Sequence, residues 1–154
     1  DKFGISGFGL WVSWALFFLP ILAGRFAGAA MLKKLSPKNF LVATVVLSVA
    51  GICCVFLDVK ALAFAGIVLC GLGFANIFPL IFSITIDAKP ERSNEISGLM
   101  VTAIVGGAFI PPLMGLVADA AGSVRAGFLV PLAAVTYILW VSISGLRTAS
   151  ELPK

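Results

Sequence analysis

Between Gly71 and Asp87 an otherwise apolar stretch carries Gly71, Gly73, Asn76, Pro79, Ser83 and Asp87. On a helix turning about 100° per residue, Gly73, Asn76, Pro79, Leu80, Ser83 and Asp87 fall on one face. An amide in an apolar environment is expensive unless it hydrogen-bonds to protein, to water or to a polar ligand. Asn76 therefore fits two roles, contact with a neutral hydrogen-bonding solute or a bond that ties two helices together. Ser83 reads more simply as a bond within the protein, and Asp87 as a solvated group at the end of the stretch. Proline at 79 removes a backbone donor and frees a carbonyl one turn earlier. With Gly71 and Gly73 nearby, the stretch reads as a helix that bends or breaks beside a site.

Other chemistries are excluded by what surrounds it. The chain has no histidine, and its three cysteines, Cys53, Cys54 and Cys70, form no CxxC pair. A zinc centre lacks ligands, so the cysteines read as small apolar residues. No Ser-His-Asp, Cys-His or phosphate-loop pattern is present, so neither an enzyme nor a bound cofactor is expected. Asp58, Asp87, Glu91, Glu95 and Asp119 all lie at the ends of apolar runs. A proton relay needs an ionisable group inside the membrane, and no carboxylate lies in the middle of any of these runs.

The elements that carry these residues are set by solvent. Apolar residues make up 60% of the 154, and only 12% are charged, about half the charge of an ordinary soluble domain. A small core cannot hide that much apolar surface, whereas lipid can. Five apolar runs, at about 5–30, 40–57, 61–86, 96–118 and 124–146, are each close to the ~20 residues that cross a bilayer. None alternates with period two, so a β-barrel is disfavoured. Runs of this length in lipid must be helices, because only a helix satisfies its own backbone. The expected fold is an all-α polytopic transmembrane bundle filling 1–154, with short connections and antiparallel neighbours. The sequence opens at Asp1 with no methionine and no signal peptide, and is expected to be a piece of a longer protein.

Orientation follows from lysine and arginine. Arg25, Lys33, Lys34, Lys38, Lys89, Arg92, Arg147 and Lys154 fall on one side, against Lys2, Lys60 and Arg125 on the other. The richer side is expected to be cytoplasmic, with the C-terminus inside and Asp1 outside. Tyr137 and Trp140 suit an interfacial belt, while Trp11 and Trp14 lie deeper, where packing or a cavity competes with that role. The fourth run holds two ladders of small residues, Gly98, Thr102, Gly106 and Gly107, Pro111, Gly115, a spacing that lets helix backbones approach closely. It is expected to be buried among neighbours and kinked at Pro111-Pro112. Gly24-Arg25-Phe26-Ala27-Gly28, followed by Lys33-Lys34, suits either a conformational latch or a plain positive anchor.

The stretch from Gly71 through Phe74-Ala75-Asn76-Ile77-Phe78-Pro79 to Ser83 resembles the tenth transmembrane helix of the fucose/glucose-galactose proton symporter family, within the major facilitator superfamily. Gly98 to Gly122, with Gly106-Gly107, Pro112, Met114-Gly115, Asp119 and Ala121-Gly122, resembles the family's eleventh helix and outer loop, and Gly24-Arg25-Phe26 the end of its eighth. The resemblance implies twelve helices, of which these five would be the eighth to the twelfth, in a bacterial inner membrane. It implies monosaccharide uptake, with a proton as coupling ion and the coupling carboxylates in the absent N-terminal helices. It places the Asn76 helix beside the central cavity, so that Asn76, Phe78 and Phe82 would contact the sugar. Phe78 matches an aromatic position of the family motif, although an ideal helix turns it away from Asn76. Gly71, Gly73 and Pro79 would permit bending, and Gly24, Arg25 and Gly28 would help close the cytoplasmic side. A carrier of another small solute or drug, and a non-transporting membrane scaffold, remain the alternatives.

Overall fold

A computed structural model describes residues 7–57 and 59–151. Asp1, Lys2, the start of the first run at Ile5, Asp58 and Lys154 lie outside them. Six α-helices follow in order: α1 (Gly7–Met31), α2 (Pro37–Phe56), α3 (Lys60–Ala88), α4 (Ser93–Ala103), α5 (Gly106–Ala120) and α6 (Leu129–Glu151). Single 3₁₀ turns at Pro90–Arg92 and Val124–Phe128 join α3 to α4 and α5 to α6. No strand occurs among the described residues. Five stretches are long and apolar enough to cross a membrane: Trp14–Met31, Pro37–Phe56, Lys60–Ala88, Pro90–Ala120 and Val124–Ser144.

Local chemistry sets the boundaries. Ser36 caps α2 in an extended conformation, its hydroxyl oxygen accepting from the Asn39 N–H at 3.4 Å, and Pro37 occupies the first turn, where a missing N–H costs nothing. The second helix thus begins three residues before the apolar run, because a cap rather than hydropathy decides where a helix starts. The run at 61–86 is one uninterrupted helix, Lys60–Ala88, with Pro79 inside it. The break anticipated around Pro79 is not present. The fourth run is two helices rather than one, and it parts at Ile104–Val105, ahead of the proline pair. There Ile104, Val105, Gly107 and Ala108 donate to carbonyls three residues back, at 2.9–3.1 Å. This is the tighter 3₁₀ pattern. Gly106-Gly107 permits the irregularity, while Pro111 and Pro112 remain inside α5.

The chain divides into two compact units, residues 1–77 and 78–154. In the first, the N-terminal part of α3 packs between α1 and α2, and glycine makes both contacts possible. Toward α1, a Cβ at Gly71 would meet the Phe17 carbonyl oxygen at 2.6 Å, and one at Gly24 would meet Ala75 Cβ at 2.9 Å. Toward α2, a Cβ at Gly66 would meet the Gly51 carbonyl oxygen at 2.6 Å, and one at Gly51 the Cys70 backbone nitrogen at 2.7 Å. Such close approach is how helices associate when lipid gives no hydrophobic advantage to packing. The seams enclose Val45, Ser48 and Ile52, all essentially inaccessible. Ser48 donates to the Thr44 carbonyl at 2.9 Å and Thr44 to the Leu41 carbonyl at 2.9 Å, so both buried hydroxyls are satisfied within α2.

In the second unit, the turn at Val124–Phe128 lies on α5, with Gly127 buried where a Cβ would stand 2.8 Å from the Met114 carbonyl oxygen. Gly122 turns the chain there with φ of +61°, a conformation that favours glycine. Val135 of α6 is buried. No residue of α4 or α5 is buried. Added Cβ atoms at Gly98, Gly106, Gly107 and Gly115 would meet nothing within 4 Å. The small-residue ladders expected to be buried are therefore open among the described residues.

Candidate substrate site

Asn76 is buried, with 8% of its surface accessible. Its side-chain N–H donates to the Gly24 carbonyl of α1 at 2.8 Å. Gly28, one turn further along α1, makes room for the amide: a Cβ there would stand 2.5 Å from Asn76 Oδ1 and 2.6 Å from Nδ2. No buried side-chain polar atom lacks a partner among the described residues. Three of the residues singled out in the sequence, Gly24, Gly28 and Asn76, thus come together as one α1–α3 contact. Arg25, next to Gly24, is exposed.

The face that the helical period assigns to Gly73 and Asn76 together is shared between two neighbours. A Cβ at Gly73 would meet the Ser48 hydroxyl, and the Ser48 nitrogen and Thr44 carbonyl oxygen at 2.8 Å, all on α2, whereas Asn76 turns to α1. Residues three apart differ by about 60° around a helix, enough to address different helices. Gly71 and Gly73 accordingly serve close approach within α3's packing, and neither interrupts the helix.

Phe78 and Phe82 are brought together, with ring centroids 6.1 Å apart and planes inclined at 36°. Phe78 is exposed and Phe82 half-buried. Pro79 is exposed, and Leu80 beside it is 2% accessible. At the C-terminal end of α3, exposed Ser83 donates to the Asp87 carboxylate at 3.3 Å, and Thr85 donates back to the Ile81 carbonyl at 2.6 Å. Both bonds stay within α3. Further on, Arg92 and Glu95 form an exposed ion pair at 2.6 Å.

Sequence reasoning passed over Thr44, Ser48 and Gly51, which carry the α2 side of the packing. Their signal was visible as small residues at intervals of four and three along one face of the second run. No group of three or more potential metal ligands occurs among the described residues.

A helical chain with five stretches able to cross a membrane, glycine-mediated seams and an amide buried between helices has the construction of a polytopic membrane protein. The chain belongs to the Major Facilitator Superfamily, whose family profile matches residues 1–151. It is therefore a multi-pass membrane protein of a transporter family. Among its relatives is a Helicobacter pylori (strain J99) protein named as a candidate glucose/galactose transporter, 31% identical over 82% of this chain and 32% of that protein. A glucose/galactose transporter of Brucella abortus biovar 1 is 27% identical over 87% of this chain and 32% of its own length. The L-fucose-proton symporter of Escherichia coli K12 is 30% identical over 70% of this chain and 25% of its own length. The chain thus spans about a third or less of the relatives it matches. No solved structure matches it.

Proposed function

We propose that this chain is the C-terminal transmembrane part of a secondary carrier that moves a monosaccharide of the fucose or glucose/galactose type. Coupling to protons and alternating access complete the proposal. One observation carries it: the similarity to carriers named for these sugars extends over most of the chain. Within the described residues, Phe78 and Phe82 are the best candidates for sugar contact, since a paired, accessible aromatic surface can stack on the apolar face of a pyranose. Of the two roles open to Asn76, its bond to Gly24 favours the tie between helices. Arg25, flanked by Gly24 and Gly28, is proposed to help close the cytoplasmic side, and Pro79 to permit bending of α3 during the cycle. The open ladders of α4 and α5 are proposed to meet helices of the N-terminal part of the same protein.

The test is binding of L-fucose, D-glucose and D-galactose to the purified full-length carrier. Replacing both Phe78 and Phe82 by alanine is expected to weaken binding of the preferred sugar roughly five- to ten-fold, the scale of about 1 kcal/mol for lost aromatic contact. Unchanged affinity would remove the pair from the site. Absence of binding by any of the three sugars in the unmodified protein would favour a carrier of another solute.

The proposed placement puts the protein in a bacterial inner membrane with a cytoplasmic C-terminus. In a full-length protein lacking Cys53, Cys54 and Cys70, single cysteines at Val59 and Ser123 are expected to react from outside intact cells. Cysteines at Ser36 and Pro90 are expected to react only after permeabilisation. The opposite pattern would invert the orientation.

A further inference from the structure

We propose that the α1–α2 connection is a docking surface for the headgroups of acidic phospholipids. Lys33, Lys34 and Lys38 are all exposed there, and the sequence holds no aspartate or glutamate from Lys2 to Leu57. None of the three lysines has an acidic partner among the described residues. The turn that carries them is hydrogen-bonded, with the Lys34 and Leu35 N–H groups donating to the Met31 carbonyl at 2.9 Å, and it closes on the Ser36 cap of α2. The lysines are therefore displayed on ordered backbone at the start of a helix, whose N-terminal end adds partial positive charge. Leu32 and Leu35, interleaved with them, are also exposed, at 39% and 40%. Basic heads beside exposed apolar side chains match a surface whose outer layer is anionic and whose next layer is hydrocarbon.

The connection between α3 and α4 makes the contrast. Lys89 and Arg92 there stand among Asp87, Glu91 and Glu95, and Arg92 is engaged by Glu95 at 2.6 Å. Nothing among the described residues neutralises the α1–α2 turn, and a folded protein in a membrane meets anionic phosphodiesters at this depth. A role in setting orientation during insertion does not remove this charge from the finished structure.

The test titrates the purified full-length carrier in detergent with phosphatidylglycerol and, separately, phosphatidylcholine, counting bound lipids by native mass spectrometry. Phosphatidylglycerol is expected to bind roughly ten-fold or more tightly, with a preference that shrinks as salt is raised. Lys33→Gln, Lys34→Gln and Lys38→Gln combined are expected to bring the two lipids close to parity, while Lys60→Gln leaves the preference intact. Should the triple variant fail to fold, each single substitution is expected to reduce the preference several-fold. The proposal is overturned by equal binding of the two lipids to the unmodified protein, by a preference indifferent to salt, or by full preference in the triple variant or in all three single variants. Competition by an equal concentration of inorganic phosphate would also overturn it, by making the surface a site for free phosphate.

Discussion

Replacing Gly73 by alanine in the full-length protein is expected to lower its melting temperature markedly and to cut the yield of folded material. Alanine is intrinsically better than glycine inside a helix by about 1 kcal/mol, so propensity alone predicts a gain. Packing predicts the reverse. The new methyl would meet the Ser48 hydroxyl, and would sit 2.8 Å from both the Ser48 nitrogen and the Thr44 carbonyl oxygen. Real Cβ atoms essentially never approach below 3.0 Å. Two of the three obstacles are backbone, so α2 as a whole must move away from α3. Overpacking of this kind costs about 1–3 kcal/mol or more. Gly51→Ala and Gly66→Ala are expected to behave alike, since their obstacles include the Cys70 nitrogen at 2.7 Å and the Gly51 carbonyl oxygen at 2.6 Å. Adding Ser48→Ala to Gly73→Ala is expected to restore part of the loss, because it removes the hydroxyl but leaves the backbone in place. Thermal unfolding of the purified variants decides the matter: a native melting temperature for Gly73→Ala would mean that the α2–α3 seam is looser than the structure has it.

Asn76→Ala is expected to destabilise the protein by about 1–2 kcal/mol while leaving sugar affinity within two-fold of normal. The amide is buried and its donor is committed to the Gly24 carbonyl, so removing it deletes an interhelical bond and opens a void. A double-mutant cycle sharpens the test. Gly28→Ala alone should push on the amide, whose three terminal atoms stand 2.5–2.7 Å from the added Cβ. In the Asn76→Ala background the same change should be nearly silent, because the obstacle has gone. Binding and melting must be measured on the same preparation. A ten-fold loss of affinity with unaltered melting would return Asn76 to the proposed sugar site and sever it from the α1 contact.

The sequence by itself determined the class of protein and the approximate extent of its spans. These are local properties: a run of about twenty apolar residues has no stable home but lipid, and in lipid it has no stable backbone but a helix. The motifs around Asn76 and along 98–122 also carried the family, because they are read as words and need no geometry. Cap chemistry shifted the boundaries by a few residues, as at Ser36-Pro37. Only the tertiary structure decided which neighbour each polar or small residue serves. Helical period gives an azimuth and does not say what stands at that azimuth. It grouped Gly73 with Asn76, and the fold sends one to Ser48 on α2 and the other to Gly24 on α1. It could not say that α3 would run unbroken through Pro79 while the fourth run parted at Ile104–Val105, ahead of its two prolines. A proline removes one donor wherever it stands, but whether a helix bends or breaks there depends on what packs around it. For the same reason, the glycines of α3 close seams against α1 and α2, while those of α4 and α5, equally small, face open space among the described residues.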